Sequence, residues 1–195
     1  ESDPLLTGDY VQQATDAIKN KEYDKALDIL KHVEHLDPDL ASIYNLRGVA
    51  YYQMQDTRRA IDEIKRAVQI DTTYVQGYVN LGDILRLAGD WSGAVKNYTR
   101  AIELSPDSAG IYNSRGATYF KWGETYLPKA IEDFSKAIEL KPDYATAYEN
   151  RGNMYYILKD FQKALDDYGE YVRLAGSKAN QPTLERIAEL EAKKK

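Results

Sequence analysis

Between Val75 and Ser108, apolar and small residues recur at helical spacing, stop, and resume. Tyr78, Leu81, Gly82 and Leu85 fall at i, i+3, i+4 and i+7, one face of a helix. Gly89-Asp90 breaks the run, and Asp90 is placed to accept from the first free N–H groups of the next helix. Ala94, Tyr98 and Ala101 mark the face of that second helix, flanked by Val95, Ile102 and Leu104, until Pro106 ends it. Inside a helix Gly82 costs about 1 kcal/mol relative to Ala, so the pattern predicts a crossing helix that leaves no room for a Cβ.

The same pattern runs through the chain. Gly48, Gly82 and Gly116 are 34 residues apart, as are Ala26, Ala60 and Ala94. Gly116 to Gly152 and Ala94 to Ala130 are each 36, which places a two-residue insertion in the turn Trp122–Pro128, before Ala130 to Ala164 returns to 34. A fixed period of this length, built from paired amphipathic helices, predicts a solenoid stacked as one continuous array. Its copies are residues 7–40, 41–74, 75–108, 109–144 and 145–178. The first has Ala14 where the others have Gly. Asp39, Thr73 and Asp107 are expected to cap the helices that follow them. Residues 1–6 are expected to form a loose leader, because Pro4 disfavours helix at Asp3. In the fifth copy Tyr171 and Gly176 depart from the pattern, as a terminal copy would. Residues 179–195 then predict a last helix, with Leu184, Ile187 and Ala188 on one face and lysines at its end.

The run Tyr78, Leu81-Gly82, Leu85, Ala94, Tyr98, Ala101 and Pro106 resembles the tetratricopeptide repeat, position by position, and the resemblance covers roughly Thr7 to Lys178. It implies an all-α, right-handed α–α solenoid of about five helix-turn-helix repeats. It also implies that the first helices line a concave groove, that the last helix is a solvating cap, and that the protein binds other proteins.

Each first helix carries a second stripe, rotated about 100° from the packing stripe. In order it reads Val11, Thr15, Ile18; Asn45, Val49, Tyr52; Val79, Asp83, Arg86; Asn113, Ala117, Phe120; and Glu149, Asn153, Tyr156. The packing stripe is nearly constant between copies and this one varies, so the fold does not dictate it. Asn45, Asn113 and Asn153 offer amides for an extended peptide backbone. Tyr52, Phe120 and Tyr156 offer flat apolar area. Val49 and Val79 add apolar surface, Asp83 and Arg86 are close enough to pair, and Glu149 adds a charge. Gln53, Gln76, Asn80, Lys121 and Asn150 are expected at the rim. The competing expectation is that several of these residues contact neighbouring repeats. Co-chaperone repeats clamp a terminal carboxylate with Lys and Arg, and no register of three copies here supplies those cations. The asparagine ladder of the O-linked N-acetylglucosamine transferase repeats is also absent.

Composition changes this picture little. The 195 residues are 43% hydrophobic and 29% charged, with net charge −5. No basic face marks a nucleic-acid binder, and no apolar run approaches a membrane span. Cys is absent, so thiol chemistry is excluded. The chain begins at Glu1, which reads as a processed, trimmed or fragmentary product. Arg47, Arg115 and Arg151 precede the motif glycines, and their stems are expected to pack with the heads at the edge. Acidic pairs Asp62-Glu63, Glu132-Asp133 and Asp166-Asp167 recur on second helices and are expected on a solvated face. His32 and His35 lack a third metal ligand, and no catalytic set or phosphate loop assembles, so neither enzyme activity nor a cofactor is expected. The partner is expected to be a protein or peptide. Self-association and membership of a larger multidomain protein stay open as alternatives. The Asn-x-Arg-Gly helices suggest a bacterial cytoplasmic or periplasmic protein.

Overall fold

The structure is a computed structural model that describes residues 4–193. Among them it is all-helical. Five pairs follow in order: α1 (Pro4–Lys19) with α2 (Tyr23–Leu36), α3 (Ala41–Gln53) with α4 (Thr57–Ile70), α5 (Val75–Leu87) with α6 (Trp91–Leu104), α7 (Ala109–Trp122) with α8 (Leu127–Leu140), and α9 (Ala145–Ile157) with α10 (Phe161–Ala175). A single helix, α11 (Gln181–Ala192), comes last. Contacts group the chain into two compact units, residues 1–104 with α1–α6 and residues 105–195 with α7–α11.

Each pair is locked by one small residue against one large one. Ala26, Ala60, Ala94, Ala130 and Ala164 are fully buried on the second helices. Four residues further along stand Leu30, Ile64, Tyr98, Phe134 and Tyr168, also buried. The motif glycines receive these large side chains. A Cβ on Gly48 would lie 2.3 Å from Ile64 Cγ1 and 2.9 Å from the Ala60 carbonyl. Overpacking of that kind costs about 1–3 kcal/mol, which explains the glycine within a helix.

The helix ends differ in part from expectation. Asp90 accepts from Gly93 N–H at 2.9 Å as expected, and Asp56 and Asp160 accept likewise from Arg59 and Lys163 N–H at 3.0 and 3.4 Å. The first helices, however, start one residue later than predicted. Leu40, Tyr74 and Ser108 stand at the N-cap with no side-chain bond, so Asp39, Thr73 and Asp107 lie too early to cap. Asp37 and Asp71 instead tie the connecting turns, accepting from the N–H groups of Asp39 and Thr73. The leader is also shorter than predicted: Pro4–Leu6 belong to α1, since proline in a first turn gives up an N–H that would be unpaired anyway. The rest of the predicted leader, residues 1–3, and the last two lysines lie outside the described residues. Asn180 caps α11 by accepting from Thr183 N–H at 3.0 Å.

Candidate functional site

In unit 2 the predicted stripe is largely occupied. Asn113 accepts from Asn150 Nδ2 at 3.0 Å, linking α7 to α9. On α9, Glu149 accepts from Asn180 Nδ2 at 2.5 Å and from Thr183 Oγ1 at 3.1 Å. Asn153 accepts from Arg186, Tyr156 donates to Glu189 at 3.3 Å, and the Arg186 guanidinium lies over the Tyr156 ring. Asn180, Thr183, Arg186 and Glu189 recur every three residues, so one face of α11 covers all three predicted α9 residues. Glu149, Asn153 and Tyr156, assigned to the groove, thus contact the last helix. Phe120 is half-buried against the Leu127, Ala130, Phe134 and Met154 cluster.

Asn45 likewise meets a neighbouring repeat. It is 4% exposed and accepts from Asn80 Nδ2 at 2.8 Å, joining α3 to α5 as Asn113 and Asn150 join α7 to α9. A buried amide needs such a partner, and the neighbouring repeat supplies it.

Part of the variation along the stripe has its origin in the core. Tyr98 donates to Asp83 at 2.6 Å, and Tyr168 donates to Asn153 at 2.9 Å. Both hydroxyls sit on buried rings, and burial raises both above the ordinary tyrosine value. Where the large core residue is apolar, as at Leu30, Ile64 and Phe134, the first-helix position holds Thr15, Val49 or Ala117. A carboxylate or carboxamide acceptor therefore stands at this position only in the copies whose core hydroxyl requires one.

One open stretch of the stripe lies in unit 1. Val49, Tyr52 and Gln53 of α3 and Asn80, Asp83, Ile84 and Leu87 of α5 line a cleft of 170 Å³. Three predicted groove residues (Val49, Tyr52, Asp83) and two predicted rim residues (Gln53, Asn80) meet here. Arg86 lies 3.7 Å from Asp83, and Val79 is half-buried. Leu87 is 59% exposed and went unrecognised in the sequence, as did Ile84. Leu87 ends α5 outside its packing stripe, and an unpaired leucine there was the available signal. The cleft is below the roughly 300 Å³ of a small-molecule site and matches a single apolar side chain.

Two further expectations change. The second residue of each acidic pair is not solvated. Asp133 and Asp167 are buried and receive two bonds each from Arg115 and Arg151, at 2.7–2.8 Å. Glu63 receives Arg47 at 2.7 Å, and Arg47 also meets Glu34. Burial pushes the Asp133 carboxyl above its ordinary value, while its bonds to Arg115 oppose that shift and hold the guanidinium proton more tightly. Only Asp62, Glu132 and Asp166 face water. The histidines point to different partners, His32 edge-on to Tyr10 and His35 to the Lys31 carbonyl at 2.6 Å. Among the described residues no helix is long and apolar enough to cross a membrane.

Comparison with known proteins agrees with the repeat pattern. A family profile described as TPR repeat matches residues 82–123 and 127–159, and one described as Tetratricopeptide repeat matches residues 41–74 and 145–178. The BBSome complex member BBS4 homolog of Drosophila melanogaster is 30% identical over 113 residues, 57% of this chain and 23% of that protein. The chain thus spans under a quarter of that relative's length. Among solved structures, MamA superposes with a TM-score of 0.76 at 26% identity, covering 85% of this chain and 95% of MamA. YrrB, described as a TPR protein with an unusual peptide-binding site, superposes at 0.71 with 23% identity, covering 95% of this chain and 91% of YrrB.

Proposed function

Because this chain belongs to the tetratricopeptide repeat family, we propose that it is a non-catalytic protein–protein interaction module whose α3/α5 cleft holds a short, extended segment of a partner. The observation that carries this reading is the pairing of an apolar slot with free amide chemistry. Tyr52, Val49 and Leu87 wall the slot. Gln53 makes no side-chain hydrogen bond among the described residues and offers a donor and an acceptor to a peptide backbone. An exposed leucine facing an aromatic ring across a cleft is surface that a partner's apolar side chain would bury at about 25 cal/mol per Å². The YrrB description supports peptide binding on this fold. In this reading residues 7–178 are five repeats, and the helix from Gln181 is their cap.

The test is a lysate pull-down with the wild type and with Tyr52→Ala/Leu87→Ser; Leu87 is exposed, and Tyr52 is half-buried against the Ala60, Ile64, Leu81 and Ile84 cluster, so circular dichroism first checks that the variant folds. The expected result is a partner recovered by the wild type and lost by the variant at unchanged helicity. Equal recovery by both sinks the assignment. A second reading, self-association, has its own observation: Ile157, Leu158 and Phe161 are all exposed at one turn of unit 2. Light scattering separates the two, because self-association requires a mass that rises with concentration and falls with Leu158→Ser.

A further inference from the structure

Copies two, four and five share a device on the second-helix side that copy three lacks. In each, an arginine before the motif glycine lies over a first-helix tyrosine: Arg47 over Tyr44 at 5.5 Å, Arg115 over Tyr112 at 5.8 Å, Arg151 over Tyr148 at 5.9 Å. Each guanidinium is held by a second-helix carboxylate, Glu63, Asp133 or Asp167. In copy three the arginine is Leu81 and the carboxylate is Asn97, whose Nδ2 turns back to the Gly93 carbonyl at 2.8 Å. Tyr78 therefore has no such arginine over it. A cavity of 470 Å³ lies there, lined by Tyr78, Lys96, Asn97, Thr99, Arg100 and Glu103.

The charge at this notch is also reversed. The residue before the carboxylate is acidic in the other three copies, Asp62, Glu132 and Asp166, and is Lys96 here. Lys96 is exposed and forms no ion pair among the described residues. Arg100 is balanced by Glu103 at 2.9 Å, and its Nη2 is 3.5 Å from the Thr72 carbonyl. The notch thus carries one uncompensated positive charge on a chain of net charge −5. Its cations are the Lys96 ammonium and the Arg100 guanidinium, and the Tyr78 hydroxyl donates to the Thr72 carbonyl at 3.4 Å.

We propose that this notch binds a glutamate side chain from an acidic segment of a partner protein, with the carboxylate at Lys96 and Arg100 and the methylenes against the Tyr78 ring. A single uncompensated cation suits a monoanion better than a dianionic phosphate. The ring supplies an apolar wall that a glutamate stem covers and a free anion would not. The contact lies apart from the α3/α5 cleft, so either assignment can fail alone.

The test is fluorescence anisotropy with labelled hexaglutamate, hexaglutamine as the neutral control, and inorganic phosphate as competitor. Hexaglutamate is expected to bind and hexaglutamine not to. Lys96→Glu, which restores the acidic residue of the other copies on an exposed helix face, should weaken binding about tenfold or more by placing like charges together. Leu81→Arg/Asn97→Asp rebuilds the ion pair of copies two, four and five. It should fill the notch from within, abolish binding and leave the fold intact. If that double variant does not fold, Lys96→Glu decides alone. The proposal is overturned if hexaglutamate does not bind, if hexaglutamine binds equally, if Lys96→Glu changes nothing, or if phosphate displaces the peptide at equal concentration.

Discussion

The first-helix stripes of α3 and α9 occupy the same repeat positions, yet one borders an open cleft and the other is covered. In both, the next helix claims the first polar residue: Asn80 of α5 binds Asn45, and Asn180 before α11 binds Glu149. The difference begins one turn later. On α11 the long side chains of Arg186 and Glu189 reach Asn153 and Tyr156. On α5, Ile84 and Leu87 leave a gap beside Val49 and Tyr52. Whether a stripe position is available to a ligand therefore depends on the side chains of the following helix, not on the stripe itself.

The most drastic way to break the comparison is to remove α11 by ending the chain after Ala179. Leu190 would leave the core beside Ala164 and Tyr168, the buried Thr183 would be lost, and Glu149, Asn153 and Tyr156 would lose their partners. Unit 2 should lose on the order of 5 kcal/mol from apolar burial and unmade hydrogen bonds. Hydrogen exchange should accelerate across α9 and α10 and stay unchanged across α3–α5. Unchanged protection of α9 would mean that α11 is a bystander.

Next in size is the arginine–carboxylate pair. Arg151→Leu leaves Asp167 buried without its partner and should cost about 3 kcal/mol. Arg151→Leu/Asp167→Asn copies the Leu81 and Asn97 of copy three into copy five. It removes both charges together and should cost only about 1 kcal/mol. Urea melts of the two variants decide this. A double variant no more stable than the single would show that the two copies tolerate apolar replacement differently.

These pairs also show where the sequence was legible. The period, the paired helices and the need for glycine opposite a large residue could all be read, because each depends on spacing along one or two adjacent helices. The role of Asn45, Asp83 or Asn153 could not be read from its own helix. Each answers to a hydroxyl, an amide or a guanidinium on another helix, and those partners become visible only when copies are compared in pairs. Tyr98 with Asp83 against Ile64 with Val49 is such a pair, and it was present in the sequence. The acidic pairs misled for the same reason. Glu132 is exposed and Asp133 buried, and the two cannot be told apart until the arginine facing the second, Arg115, is identified.

A smaller perturbation closes the cleft without disturbing the core. Leu87→Arg places on α5 a long cation like the one Arg186 supplies on α11. Leu87 is exposed, so stability should stay within about 0.5 kcal/mol of wild type. Partner capture through the cleft should fall about tenfold, as when a central apolar contact of an interface is lost. Retained capture would move the binding site off α3/α5.

The smallest effect lies in the turns. Gly89 in unit 1 and Lys159 in unit 2 occupy the same place after the first helix, both left-handed, with φ of 82° and 60°. Their hydrogen bonds match: Gly89 and Asp90 N–H donate to the Arg86 and Leu85 carbonyls at 3.2 and 2.9 Å, and Lys159 and Asp160 N–H donate to Tyr156 and Tyr155 at 3.1 and 2.9 Å. The backbone is thus the same, and only the Cβ differs. A non-glycine residue in this conformation is strained by about 1 kcal/mol, while glycine gives back part of that through a freer unfolded chain. Lys159→Gly should therefore stabilise unit 2 by about 0.5 kcal/mol, and Gly89→Ala should destabilise unit 1 by a similar amount. Thermal melts that moved in the same direction for both variants would show that something other than the left-handed backbone sets the residue at this turn.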